Sequence, residues 1–262
     1  MSDLTISLIQ ANLIWEDRDS NLAAFERKIS QVDRTADLIL LPEMFNTGFS
    51  MKADRFFEEM DGKSVKWLHR MAEQTKAVIC ATLIIRENGQ YYNRLVWMRP
   101  DGHVETYDKR HLFRLAEEHK TYTAGTDTKT VTLKDWRIRL NTCYDLRFPV
   151  WSRNDSNYDL IIYLANWPER RIEAWKTLLK ARAIENLAYA IGVNRVGNDG
   201  NGIYHSGDSA VIEPSGDIIK AVSHEEKTVT IKLKKEVLET YREKLPFHLD
   251  ADLFTIILND SN

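Results

Sequence analysis

Three stretches of the sequence each run an apolar or alternating segment into a side chain capable of covalent or acid–base chemistry. Leu38-Ile-Leu-Leu-Pro-Glu43 ends on a carboxylate, Val104-Glu-Thr-Tyr-Asp-Lys109 on an ammonium, and Trp136-Arg-Ile-Arg-Leu-Asn-Thr-Cys143 on a thiol. A thiol attacks a carbonyl well only as thiolate, so it needs a proton acceptor or a positive neighbour. Glu43 can take the proton, and an apolar pocket would make it a better base. Lys109 can balance the charge of the thiol–carboxylate pair and then stabilise the oxyanion of a tetrahedral intermediate. Such a trio would replace the histidine of other cysteine hydrolases.

Each residue also has an ordinary reading. Free cysteines are mostly buried wall residues, a glutamate after Leu-Pro is usually a solvated cap, and a lone lysine is usually a surface charge. Cys80, inside the apolar run 77–85, reads as core. The seven histidines leave a Cys–His pair open, with His111 or His205 as base, although neither sits in a local signature for it. A thiol-redox role is poorly served by two cysteines in separate strands without Cys-x-x-Cys spacing. Without further information the sequence reads as an α/β protein with a reactive-cysteine candidate, either an enzyme or a silent binding module.

The elements that must position these groups follow from periodicity. Strand-like runs cover residues 4–9, 36–41, 78–85, 91–98, 137–141, 160–165, 190–195, 209–213 and 228–232. Helical spacing of apolar residues predicts helices over 19–32, 64–75, 169–189 and 234–245. Asn88-Gly89, Asp101-Gly102 and Ser215-Gly216 punctuate hairpins. Strand–helix–strand units followed by hairpins imply mixed sheets, and two stacked sheets with helices on both outer faces fit best. In such sheets the C-terminal ends of strands are where ligand sites collect, so the three reactive residues could converge there.

The totals agree with a globular enzyme or binding protein. The chain has 262 residues, 43% apolar and 29% charged, with 11 glycines and 6 prolines. No linker-like or repetitive segment divides it, so a single domain over 1–262 is expected. A net charge of −3 gives no electrostatic case for nucleic acid or an anionic membrane. The first residues lack the basic and apolar regions of a signal peptide, and no run is long enough to span a membrane. A reduced cytoplasmic protein is the expectation, and the cysteine spacing does not suggest zinc.

The three motifs, as Leu41-Pro-Glu-Met-Phe45, Tyr107-Asp-Lys-Arg-His-Leu-Phe113 and Cys143-Tyr-Asp-Leu-Arg-Phe-Pro149, resemble the Glu, Lys and Cys motifs of the nitrilase superfamily of carbon-nitrogen hydrolases. The resemblance extends through Asn166-Trp-Pro168, Arg182-Ala-Ile-Glu-Asn186, Asn194-Arg-Val-Gly197 and Gly207-Asp-Ser209, and is greatest to the bacterial omega-amidase branch. It implies a four-layer α-β-β-α sandwich, pairing into a homodimer, with no cofactor and no metal. It implies Cys143 as nucleophile, Glu43 as general base and Lys109 as charge stabiliser. Glu118 then matches the second glutamate, which orients Lys109 and substrate, with Glu117 adjacent as the alternative. The backbone N–H of Tyr144 would complete the oxyanion site.

The resemblance further implies a small-molecule amide substrate, a short dicarboxylate monoamide such as 2-oxoglutaramate or 2-oxosuccinamate. Carbamoyl, nitrile or other amide substrates are the alternatives within the superfamily. An anionic substrate end calls for a cation or backbone donors, with Arg147, Arg170 and Arg171 as candidates. Arg147 reads more readily as a brace for the turn after the cysteine. Asn166 and Trp167 should line the pocket, and Phe45 and Phe148 should add apolar walls. Arg182 and Glu185 read as a buried brace, and the charged run 232–236 as a solvated face.

Overall fold

The computed structural model describes residues 2–258; residue 1 and residues 259–262, which the expected domain also takes in, lie outside the described residues. The first half of the chain runs β1 (Leu4–Gln10), α1 (Arg18–Ile29), β2 (Leu38–Leu40), α2 (Ala53–Phe56), α3 (Lys63–Thr75), β3 (Val78–Glu87), β4 (Gln90–Met98), β5 (Val104–Asp108) and α4 (Glu118–Thr121). The second half runs β6 (Lys129–Leu133), β7 (Trp136–Thr142), β8 (Leu160–Ala165), α5 (Ile172–Asn186), β9 (Tyr189–Asn194), β10 (Val196–Asn198), β11 (Tyr204–Ile212), β12 (Ile218–Ser223), β13 (Lys227–Leu233) and α6 (Lys235–Lys244).

The strands form two mixed sheets. One is ordered β13-β1-β2-β3-β4-β5; the other is β10-β11-β9-β8-β7-β6, with β12 paired to β11. At the centre of each lies a parallel triplet, β1-β2-β3 and β7-β8-β9. Strict alternation along buried strands separates the layers. Leu38 and Leu40 of β2, like Leu160, Ile162 and Leu164 of β8, point into a shared core between the sheets. The intervening Ile39 faces α1 and α3, while Ile161 and Tyr163 face α5. Side chains alternate across a strand, so apolar residues at every position mean both faces are covered. The result is the expected α-β-β-α sandwich. On the outer face of β9, Gly192 lets α5 come close: a Cβ there would lie 2.4 Å from Trp175 and 2.6 Å from Leu179.

Some boundaries differ from expectation. The helix expected over 169–189 begins as a 3-10 turn at Glu169–Arg171 and ends at Asn186, because Leu187 takes a left-handed conformation (φ 46°) that releases Tyr189 into β9. Four strands were not among the nine runs, namely β5, β6, β10 and β12, although β5 was recognised as the run leading into Lys109. β12 is mostly exposed and β10 is three residues long, so neither carries a burial alternation to read. The hairpin at Asn88-Gly89 has both residues at positive φ, 50° and 78°, as a two-residue turn between Glu87 and Gln90 requires.

The topology aims three strand ends at one place. β2 and β3 are parallel, β4 reverses, and β5 reverses again, so β2 and β5 deliver Glu43 and Lys109 at the same edge of their sheet. In the facing sheet β7 and β8 run parallel and end at Cys143 and Asn166.

Candidate active site

Glu43 follows β2 at a sharp turn, where Met44 adopts φ 45° and donates its N–H to Thr82 Oγ1 at 2.7 Å. The Glu43 carboxylate is fully buried and held from three directions. Oε1 accepts from Asn93 Nδ2 at 2.8 Å and from Lys109 Nζ at 3.0 Å, and Oε2 accepts from the Asn166 N–H at 2.9 Å. Lys109 Nζ also donates to both Glu118 oxygens, at 3.0 and 2.9 Å, so one buried ammonium sits between two buried carboxylates. The Phe113 N–H at 2.6 Å and Asn93 Nδ2 at 3.2 Å anchor Glu118 further.

Burial alone would push the Lys109 ammonium down, but the Glu118 and Glu43 carboxylates outweigh it and hold its pKa well above the ordinary lysine value. Burial raises the Glu118 pKa, with Lys109 pulling the other way and Glu43 adding repulsion. The ammonium is therefore permanently charged at neutral pH, a fixed positive charge beside the thiol.

Cys143 opens the 3-10 segment Cys143–Arg147 with φ 43°. A non-glycine residue in the left-handed region costs about 1–2 kcal/mol, so the surrounding structure must enforce it. The enforcement comes from Asp145, whose carboxylate accepts from the Thr142 N–H at 2.9 Å across the turn. The turn takes Cys143 out of the strand direction and onto the cavity wall that Lys109 and Asn166 also line, within reach of the Glu43 charge. Burial, then the Glu43 charge, push the thiol pKa well up, against the pull of Lys109. The resting sulfur keeps its proton, and Glu43 is the carboxylate whose charge it feels most strongly. Such an arrangement can transfer that proton to Glu43 as the sulfur attacks a carbonyl, which is general-base nucleophilic catalysis.

These residues open onto a cavity of about 430 Å³ lined by Lys109, Cys143, Tyr144, Asn166 and Trp167. The lining combines aromatic and aliphatic side chains with several charged and polar groups, which can fix the orientation of a small ligand. Two further residues organise it. Asp145 accepts from the Thr142 N–H (2.9 Å), Tyr107 Oη (2.7 Å), and both the backbone N–H (3.0 Å) and Nδ1 (2.8 Å) of His111. It thereby ties the lysine-bearing segment to the cysteine-bearing one. Asn93, by bonding both glutamates, does the same for Glu43 and Glu118.

A family model for carbon-nitrogen hydrolases matches residues 5–243. The chain belongs to the carbon-nitrogen hydrolase family. It is 45% identical over 257 residues to the omega-amidase YafV of Escherichia coli (strain K12), spanning 98% of this chain and 100% of that one. The 2-oxoglutaramate amidase of Bacillus subtilis (strain 168) is 29% identical over 247 residues, 92% of this chain and 95% of that one. Among solved structures, the CN-hydrolase superfamily protein XC1258 of Xanthomonas campestris, which carries an arsenic adduct in its active site, superposes with a TM-score of 0.96. It is 42% identical and covers 98% of this chain and 100% of that chain. These full-length likenesses put the hydrolase in the omega-amidase branch of the nitrilase superfamily.

The structure brings Glu43, Lys109, Cys143 and Glu118 together, and it separates Glu118 from Glu117, which is exposed and pairs with Lys120. Tyr144, Asn166, Trp167 and Arg147 line the cavity. Phe45 does not. It lies in the core against Phe25 and Trp67, at ring separations of 5.3 and 5.5 Å, because the turn at Met44 sends it to the helix side of the sheet. Phe148 stacks on His111 at 3.6 Å and walls a neighbouring cavity instead. The bracing expected of Arg147 falls to Asp145, while Arg147 lies over the Trp167 ring at 5.0 Å. Arg182 is a buried brace as expected, donating to the Leu146 carbonyl and to Glu185. In the charged run 232–236, Lys235 is buried and ion-paired with Asp159 rather than solvated.

Neither histidine offered as an alternative base is hydrogen-bonded to Cys143. His111 is held by Asp145, and His205 lines the cavity with its Nδ1 on the Ile203 carbonyl. Asn93 and Asp145 went unmarked as site residues. Asn93 stands next to Arg94 where β4 passes from its exposed start into its buried half, so no local pattern marked it. Asp145 stood inside the cysteine motif itself.

Proposed function

We propose that the hydrolase cleaves the terminal amide of short dicarboxylate monoamides, of the 2-oxoglutaramate and 2-oxosuccinamate type, through a thioester on Cys143. The observation that carries this is the fully buried Lys109 bridging Glu43 and Glu118 while lining, with Cys143, one wall of the same cavity. The names of the Escherichia coli and Bacillus subtilis relatives support the substrate class.

In the first half-reaction the Cys143 sulfur bonds to the amide carbon as its proton passes to Glu43. Negative charge moves to the carbonyl oxygen, where the Tyr144 N–H and the Lys109 ammonium receive it. An oxyanion donor of this kind contributes about 3–4 kcal/mol to the barrier reduction. The intermediate collapses as Glu43 gives its proton to the departing nitrogen, releasing ammonia and leaving the thioester. In the second half-reaction Glu43 takes a proton from water, the hydroxide adds to the thioester carbon, and the sulfur leaves. The sulfur recovers the proton from Glu43 and the carboxylic acid departs. Glu118 holds Lys109 in register throughout. The scheme requires neither metal nor cofactor.

The test is ammonia release from 2-oxoglutaramate measured beside N-carbamoyl amino acids and simple nitriles. Preferential turnover of the monoamide, with an acyl adduct on Cys143 in quenched intact-mass spectra, is expected. Rapid turnover of a carbamoyl or nitrile compound with none of the monoamide would overturn the substrate assignment. From the family resemblance we take the working form to be a cytoplasmic homodimer of single-domain subunits, which sedimentation of the purified protein and cell fractionation check.

A further inference from the structure

Six cationic or cation-capable side chains line the cavity around Cys143, and four of them are already accounted for or not fixed. Lys109 is held by Glu43 and Glu118, and Lys52 pairs with Glu16 at 2.9 Å across the mouth. His205 is held neutral at physiological pH, since burial and the neighbouring Arg195 push its pKa down to about 4. Arg170 is exposed and makes no ion pair among the described residues. Arg147 and Arg171 remain.

Both are half-buried, and each guanidinium is laid over an aromatic ring of the cavity wall. Arg147 sits 5.0 Å from the Trp167 ring centre and Arg171 sits 4.9 Å from that of Phe113. Stacking of this kind fixes the plane of a guanidinium while leaving the N–H groups on its edge free to donate. Among the described residues, neither guanidinium donates a hydrogen bond to a protein acceptor, and neither lies within ion-pair distance of a carboxylate. Burial, followed by the repulsion of Arg170 and Arg147, lowers the Arg171 pKa. Two cations held by aromatic rings therefore line the cavity that Cys143 also lines, and neither has an ion-pair partner among the described residues. Folding gains nothing from like charges placed together, so the arrangement is completed by a ligand anion.

We infer that Arg147 and Arg171 form the clamp for the anionic end of the substrate, so that the enzyme selects amides whose far terminus is a carboxylate. The inference rests on the amidase reading above and assigns the residues that set its specificity. Trp167 and Phe113 hold the two guanidinium groups in place, and the carboxylate bridging them fixes the amide carbon over Cys143.

The test compares succinamate with butanamide, two amides of equal chain length of which only the first ends in a carboxylate. In the wild-type enzyme kcat/KM should favour succinamate. Arg171→Gln and Arg147→Gln should each lower the ratio of the two kcat/KM values by about 10- to 100-fold, chiefly through the KM for succinamate, as loss of a charge-assisted hydrogen bond does. Arg171→Lys should keep part of the preference, since it retains the charge without the fork. Arg147 lies on the cysteine turn and Arg171 outside it, so a folding defect in one variant leaves the other as a test. A wild-type enzyme that hydrolyses both amides equally, or a preference for succinamate that survives both glutamine substitutions within twofold, overturns the clamp and leaves the amidase intact. A wild-type enzyme that releases ammonia from neither amide nor from 2-oxoglutaramate removes the amidase reading, and the clamp with it; one active on 2-oxoglutaramate alone overturns the clamp if its KM for that substrate stays within twofold in both glutamine variants and supports it if that KM rises about 10-fold or more.

Discussion

Replacing Asp145 with Asn changes one oxygen into an amide and leaves shape almost untouched, so its cost can be worked from four hydrogen bonds. Oδ2 accepts from the Thr142 N–H and Tyr107 Oη; Oδ1 accepts from the His111 N–H and His111 Nδ1. Whichever oxygen becomes NH₂, two donors then face a donor. In either orientation one of the two can adapt, because Tyr107 Oη can turn to accept and His111 can switch tautomer. The other is a backbone N–H, Thr142 or His111, and it cannot. One bond to a charged acceptor is lost, worth about 1.5–3 kcal/mol, and the three that survive weaken as the acceptor becomes neutral. A total near 3 kcal/mol follows, which would lower Tm by roughly 6–12 °C in a chain of this size. The Thr142–Asp145 bond is also what enforces the left-handed Cys143, so kcat should fall by about 100-fold as the sulfur drifts from the carbonyl. Urea unfolding at unchanged m value reads the first effect and steady-state ammonia release reads the second. A D145N protein within 1 kcal/mol of wild type and with wild-type kcat would show that this carboxylate does not hold the nucleophile's turn.

Two further predictions follow from the charged groups. In Glu43→Gln the carboxylate charge that helps raise the Cys143 pKa is gone, so a spectroscopic titration of the thiolate should have its midpoint at lower pH than in wild type, while turnover is lost; retained turnover, or a midpoint moved upward, would remove Glu43 as the base. His205 is protonated in the unfolded chain below about 6.5 but in the folded protein only below about 4, so folding stability should decline as pH falls through that window, by at most about 3 kcal/mol. His205→Asn should flatten that part of a pH-dependent urea unfolding series, and an unchanged slope would place the acid sensitivity elsewhere.

The layers were readable because burial on both faces leaves its mark in local sequence. Runs such as Leu38-Ile-Leu-Leu and Leu160-Ile-Ile-Tyr-Leu-Ala have no polar face, and the helices at α1, α3 and α5 carry apolar residues at spacings of three and four. Where that mark was missing, the reading failed for a definite reason. β12 exposes most of its side chains, and the α5–β9 junction turns on a left-handed leucine, a residue type that gives no warning of positive φ. Arg147 was weighed as a brace from its position beside Asp145, yet contact with Trp167, twenty residues later, decides where it lies.

The same distinction explains which parts of the site were legible. Glu43, Lys109 and Cys143 announced themselves because each reactive side chain ends a run of strand-forming residues, and strand ends of like direction must share an edge. What holds them there depends on pairs far apart in sequence: Asn93 on Glu43 and Glu118, Asp145 on Tyr107 and His111. No local pattern encodes such a pair. Phe45 shows the limit most clearly. It lies two residues beyond the catalytic candidate Glu43, and counting by alternation would put both side chains on the cavity side. The positive φ of Met44 breaks the count, so that one side chain meets Lys109 behind the cavity and the other enters the core on the helix side. Cys143 has the same backbone sign at the end of β7. Both members of the thiol–carboxylate pair thus meet only because each strand leaves its sheet through a left-handed residue, a conformation for which neither Met44 nor Cys143 has any intrinsic preference. The strain is offset by the hydrogen bonds around it, Thr82 at one turn and Asp145 at the other.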